Sequence, residues 1–93
     1  MTVNILDEYL DLLINQVEFI YRDKPKAALK FWKDIIKNLK KDLKQPYNFQ
    51  KSRYLSKQNI HDYVFKGYTS VYEIDILTNT VTVFGFIKYK ESL

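Results

Sequence analysis

The chain has 93 residues, with no cysteine, two glycines, two prolines and fourteen tyrosines or phenylalanines. At roughly 100–150 residues per domain this is one domain, residues 1–93, with a modest core and no room for separate cofactor and substrate domains. The missing cysteines exclude a disulfide scaffold and a thiolate metal site, and a single histidine, His61, gives no basis for a histidine-held zinc.

The net charge of +4 is unevenly spread: residues 1–23 carry −4, residues 24–66 carry +9 and residues 67–93 carry −1. A basic block in mid-chain suggests an anionic partner, or a lysine face that keeps the molecule soluble. The opening residues reach Asp7 and Glu8 at once, unlike a signal peptide, and no apolar run approaches the ~18–20 residues that span a bilayer. The expectation is a soluble cytoplasmic protein without a membrane partner.

Residues 2–5 alternate weakly, with Val3 and Ile5 on one side, enough for a short first strand. Leu6, Leu10, Leu13, Val17 and Ile20 then step by four and three, one apolar stripe along a helix with Tyr9 beside it. Asp23 is a good helix N-cap and Pro25 suits a first turn, so a second helix is predicted over residues 24–43. Its apolar positions are Ala28, Leu29, Trp32, Ile35, Ile36, Leu39 and Leu43. Opposite them Lys26, Lys30, Lys33, Lys37, Lys41 and Lys44 form a basic stripe, and Pro46 stops the helix. The short break makes the two helices an antiparallel hairpin.

Residues 45–59 are polar with three interspersed aromatics and read as an ordered connection. Strands follow at 60–66, 68–76 and 80–88, separated by a tight turn at Gly67 and a turn at Thr78 and Asn79. In the second of these, Ser70, Tyr72, Ile74 and Ile76 share a face. Two close turns make an antiparallel meander. The predicted class is α+β, in the order β-α-α-β-β-β, with a helical hairpin packed on a mainly antiparallel four-stranded sheet.

The aromatics Tyr47, Phe49, Tyr54, Tyr63, Phe65, Tyr68, Tyr72, Phe84 and Phe86 exceed what one small core needs. Strand alternation places some of them away from the helices, where an exposed aromatic strip marks a partner surface. Gly-rich phosphate loops, a Ser-His-Asp order, paired carboxylates at glycosidase-like spacing and metal-ligand clusters are all missing from the sequence, so no cofactor is expected.

The element order at this length resembles the RelE/ParE superfamily of bacterial toxins from type II toxin–antitoxin systems. The break at Asp23, Lys24, Pro25, Lys26, Ala27 and Ala28 is similar to the family's acidic–proline–alanine break, and Lys44-Gln45-Pro46 to the proline that ends its second helix. Residues 61–75, with Gly67-Tyr68 and Val71-Tyr72, resemble the family's strand–turn–strand, and residues 80–88 its last strand. The two long helices resemble the ParE branch more than compact RelE. His61 stands where the family usually has arginine, and Lys88-Tyr89-Lys90 where many members have paired basic residues.

The resemblance implies a toxin neutralised by a cognate antitoxin whose C-terminal segment covers a surface of it. That surface, or the one that meets the target, is expected to include Tyr54, Tyr63, Phe65, Tyr68, Tyr72, Phe84, Lys33 and Lys37. The ParE branch implies a protein that binds and inhibits DNA gyrase without catalysis, with plasmid stabilisation and growth inhibition as consequences. The RelE branch implies a ribosome-dependent messenger-RNA endonuclease. Cleavage through a 2′-hydroxyl needs a base, positive charge on the phosphate and an acid, for which Lys88, Tyr89, Lys90 and His61 are the candidates. A third reading is a silent member that only binds its antitoxin. Assembly as a homodimer or as a toxin–antitoxin hetero-oligomer is left open.

Overall fold

In the computed structural model, which describes residues 1–88, the chain runs β1 (Thr2–Ile5), α1 (Asp7–Tyr21), α2 (Pro25–Asp42), a 3-10 turn (Pro46–Asn48), β2 (Ile60–Phe65), β3 (Tyr68–Asp75) and β4 (Thr80–Lys88). The sheet has the order β1-β4-β3-β2. β1 is parallel to β4, and the other pairs are antiparallel. This is the α+β arrangement read from the sequence. No described helix is long and apolar enough to cross a membrane.

α1 begins with Asp7 and Glu8, whose carboxylates favour the positive end of the helix dipole. Its stripe buries Tyr9 and Leu13 fully, with Leu10, Val17 and Ile20 packed partly against the same core. In α2 the buried side chains are Ala28, Phe31, Ile35 and Leu39, continued by Leu43 beyond its last turn. Phe31, not Leu29, lies in the core, because a helical stripe through Ile35 and Leu39 passes through position 31 four residues back. Leu29 is 54% exposed. Pro25 occupies the first helical position, so Lys24 rather than Asp23 is the capping residue, and it makes no side-chain cap.

On the sheet, Tyr63, Tyr72, Ile74, Val81 and Val83 complete the core beneath the helices. Burying each such large apolar side chain contributes roughly 1.5–3 kcal/mol. β2 ends one residue before the predicted bound, because Lys66 and Gly67 both take positive φ, at 51° and 83°, in a two-residue hairpin turn. β3 likewise ends at Asp75, whose Oδ1 accepts the N–H groups of Leu77 and Thr78, so Ile76 leaves the core face and is 74% exposed.

β4 carries a bulge. Val71 faces Gly85 while Tyr72 faces Val83, leaving Phe84 as the extra residue on β4. A Cβ on residue 85 would sit 3.2 Å from the Val71 Cβ, which explains a glycine there. The connection after the 3-10 turn lies along the outer edge of β2: Ser52 N–H donates to Ile60 O (2.9 Å) and Asp62 N–H to Gln50 O (3.0 Å).

Candidate functional site

Leu12 and Phe19 stand seven residues apart on α1, two helical turns, and therefore on one stripe beside the core stripe. They are 45% and 58% exposed. The end of β4 runs past them, so Leu12, Asn15, Gln16, Phe19, Phe86 and Lys88 line an open groove of about 420 Å³. Its floor is rigid. Phe86 stacks on Tyr68 at 5.4 Å with an interplanar angle of 11°, and meets Tyr9 edge-on at 5.7 Å. Gln16 Nε2 donates to the Tyr68 hydroxyl (3.0 Å). The Lys88 ammonium lies 5.3 Å from the Phe19 ring centroid, a cation over an aromatic face. An apolar floor with an amide rim and one cation suits an apolar anchor flanked by an acidic group, the chemistry of a protein segment.

The bulge helps to build this groove. Beyond Phe84 the side-chain alternation of β4 is reset, so Phe86 faces Ser70 and the helices, and Lys88 falls opposite Tyr68. Were Phe84 paired in an unbroken register instead of bulged, these two side chains would point to the opposite face of the sheet.

The residues expected to bind partners divide between core and surface. Tyr72 is fully buried and its hydroxyl donates to Pro46 O, so its ring has no free face. Tyr63 is also buried, donating to Asp42 Oδ2 at 2.5 Å. Phe65 is half-buried and stacks on Phe31. Tyr68 and Phe84 are half-buried, Tyr68 forming part of the groove floor. Tyr54 is 48% exposed and lines a smaller cavity of about 210 Å³ on the sheet face away from the helices, with Gln50, Arg53, Asp62, Val64, Gly67 and Thr69. Lys33 and Lys37 are exposed on α2, while Lys30 pairs with Asp34 at 2.9 Å and holds that carboxyl below its ordinary value.

The candidates for RNA cleavage do not come together among the described residues. His61 is buried, stacked on Tyr72 at 5.6 Å and covered by the edge of Tyr47 at 6.2 Å. It lies towards the start of β2, whereas Lys88 pairs with Tyr68 at the start of β3, the opposite end of that hairpin. Tyr89 and Lys90 lie outside the described residues. Three tyrosines are held neutral. Burial, partly offset by the Ser70 hydrogen bond, pushes Tyr9 up to about 12. Burial raises Tyr63 and Tyr72 as well, helped by the Asp42 carboxylate in the first and the Asp62 charge in the second. No described group of three or more His, Asp or Glu side chains is placed to hold a metal ion.

Leu12, Phe19 and Phe86 were not singled out as partner residues from the sequence. A signal was present in Leu12 and Phe19, whose seven-residue spacing lies off the main apolar stripe of α1.

Among solved structures, the chain is similar to a chain of the chromosomal ParDE TA system from P. aeruginosa. The TM-score is 0.77 at 14% identity, covering 97% of both chains. No family model and no curated protein matches it. The likeness runs over nearly the whole molecule and establishes a shared fold, that of two helices on a mixed four-stranded sheet.

Proposed function

We propose that this chain is the toxin of a type II toxin–antitoxin module, neutralised by a cognate antitoxin and acting as a ParE-like inhibitor of DNA gyrase. The observation that carries the reading is the fold shared with a ParDE chain over 97% of both molecules. The surface chemistry supports a binding function. An exposed aromatic groove lies between α1 and β4, with an apolar floor and one cation that suit a protein segment. The candidate base His61 is buried 5.6 Å from Tyr72 and remote from Lys88 along the hairpin. A general base must come within about 3 Å of the hydroxyl it deprotonates.

The sheet face away from the helices argues the same way. It exposes Glu73 of β3, and Asp62 of β2 is buried beneath the connection with Arg53 beside it, whereas phosphate chemistry calls for clustered positive charge at the reacting centre. On this reading the antitoxin seats an apolar side chain against Phe19 and Phe86 and sets an acidic group beside Lys88. The test is induced expression of the chain without its partner, followed by supercoiling by purified gyrase with the chain in excess. Growth arrest with blocked supercoiling supports the proposal. Arrest with intact supercoiling and messenger cleavage at the ribosomal A site replaces it with the endonuclease reading. Absence of arrest leaves a silent, antitoxin-binding member of the fold.

A further inference from the structure

Side chains alternate along β2, so with Tyr63 in the core beneath the helices, Asp62 and Val64 fall on the other face of the sheet. Val64 is 59% exposed there, but Asp62 is only 2% exposed. The connection between α2 and β2 covers it. Gln50 O accepts the Asp62 N–H (3.0 Å), and Asp62 Oδ2 accepts the Arg53 N–H (2.9 Å). The next two amides, of Tyr54 and Leu55, donate to Ser52 Oγ (3.1 and 3.2 Å), a turn that holds the chain beside the carboxylate.

The second carboxylate oxygen, Oδ1, is buried and accepts no hydrogen bond among the described residues. Across the ladder Asp62 faces Val71, itself 2% exposed and with no side-chain donor to offer. A carboxylate taken out of water is costly unless donors or a counter-charge replace that water. Asp62 lines the cavity of about 210 Å³ together with Gln50, Arg53, Tyr54, Val64 and Thr69, a space more enclosed than the α1–β4 groove. Arg53 makes no ion pair among the described residues. One small cavity thus gathers an anchored carboxylate with an oxygen to spare, an unpaired guanidinium, an aromatic ring and an aliphatic wall.

We propose that this cavity binds a small zwitterion of the α-amino-acid class. Its ammonium donates to Asp62 Oδ1, its carboxylate meets the Arg53 guanidinium, and its side chain lies against Tyr54 and Val64. The inference goes beyond the toxin reading and does not depend on it. Charge and size select this ligand. A simple amine satisfies Asp62 but is repelled by Arg53, and a lone carboxylate or phosphate meets Arg53 but is repelled by Asp62. The cavity is smaller than the roughly 300–1,000 Å³ that suits drug-sized ligands, so it fits a molecule of a few heavy atoms. A guanidinium holds a carboxylate through two parallel N–H···O bonds, and both charged contacts gain strength away from bulk water. A bound zwitterion also bridges residues 50–54 to β2, fastening the connection onto the sheet.

The experiment follows the backbone amide resonances of the isotope-labelled full chain during titration with glycine and with L-valine, each to about 10 mM. Isobutylamine, which is valine without its carboxylate, and isovaleric acid, which is valine without its ammonium, serve as controls. The expected result is saturable shifts at Arg53, Asp62 and Thr69 with both amino acids, valine binding more tightly, and either control weaker than valine by at least about tenfold. Arg53 is exposed, so Arg53→Gln should leave the fold intact. It should weaken valine at least about tenfold while leaving isobutylamine unchanged or improved. Asp62→Asn should abolish valine binding; where that variant fails to fold, the Arg53→Gln comparison decides. Absence of saturable shifts with both amino acids overturns the proposal and leaves Oδ1 to a water molecule or to Arg53 itself. Isobutylamine binding as tightly as valine overturns it too, as does valine binding that Arg53→Gln leaves unchanged.

Discussion

The hydroxyls of Tyr9 and Ser70 are 2.8 Å apart, joining α1 to β3 between two fully buried residues. Ser70→Ala strands the Tyr9 hydroxyl in the core, and an unsatisfied buried hydroxyl costs about 1–3 kcal/mol. Tyr9→Phe strands Ser70 instead, at the lower end of that range because the small hydroxyl can turn towards a nearby carbonyl. The double variant removes both polar groups together. It should be about 1 kcal/mol or more less destabilised than the two single costs added. For a domain of this size each kcal/mol shifts the Tm by about 4–8 °C, so the non-additivity is measurable by thermal or urea unfolding. If the single effects add to within about 0.5 kcal/mol, the two hydroxyls are uncoupled and the bridge between helix and sheet is refuted.

The same residue gives an alkaline limit. Burial raises Tyr9 from its ordinary 10.0 to about 12, so the folded chain keeps a proton that the unfolded chain releases. This stabilisation is complete below pH 10, is lost as the pH climbs from 10 to 12, and should fade less steeply in Tyr9→Phe when unfolding is followed against pH. Gly67→Ala should destabilise by about 1–2 kcal/mol through its positive φ of 83°, and Lys66→Asn should stabilise by a few tenths up to about 1 kcal/mol. Urea midpoints decide both. Phe19→Ser should change stability by no more than about 0.5 kcal/mol, since the ring is 58% exposed. It should nevertheless weaken antitoxin binding by about tenfold or more, as read by calorimetric titration.

Much of the fold was legible because its signals are local. The four-and-three steps of Leu6, Leu10, Leu13, Val17 and Ile20 mark α1 without reference to the rest of the chain. Pro25 and Pro46 mark the ends of α2, and Gly67 marks the first hairpin. What escaped depends on partners distant in sequence. Phe31 was passed over for Leu29 because either fits an amphipathic helix, and only the sheet decides which side is covered. Ile76 fits the alternation of β3, but the Asp75 side chain captures the next amides and ends the strand there. The parallel pairing of β1 with β4 joins residues nearly eighty positions apart.

The candidate surfaces were harder still to read. Aromatic count alone could not separate Tyr72, enclosed beneath the helices, from Phe86, which the bulge at Phe84 turns into the groove. The lysine stripe was visible, but not its position beside the edge of β1. Lys40, which lines the groove between α2 and β1 with Lys37, Lys41 and Lys44, lay outside the predicted stripe.

The most direct test is a titration of purified gyrase with the chain, scoring supercoiling and then repeating it with the antitoxin present. A binding inhibitor gives inhibition that grows in proportion to the protein added and ends at a fixed ratio of chain to gyrase. The antitoxin should abolish it. Full supercoiling at large excess of the chain, with messenger cut on translating ribosomes, would contradict the account.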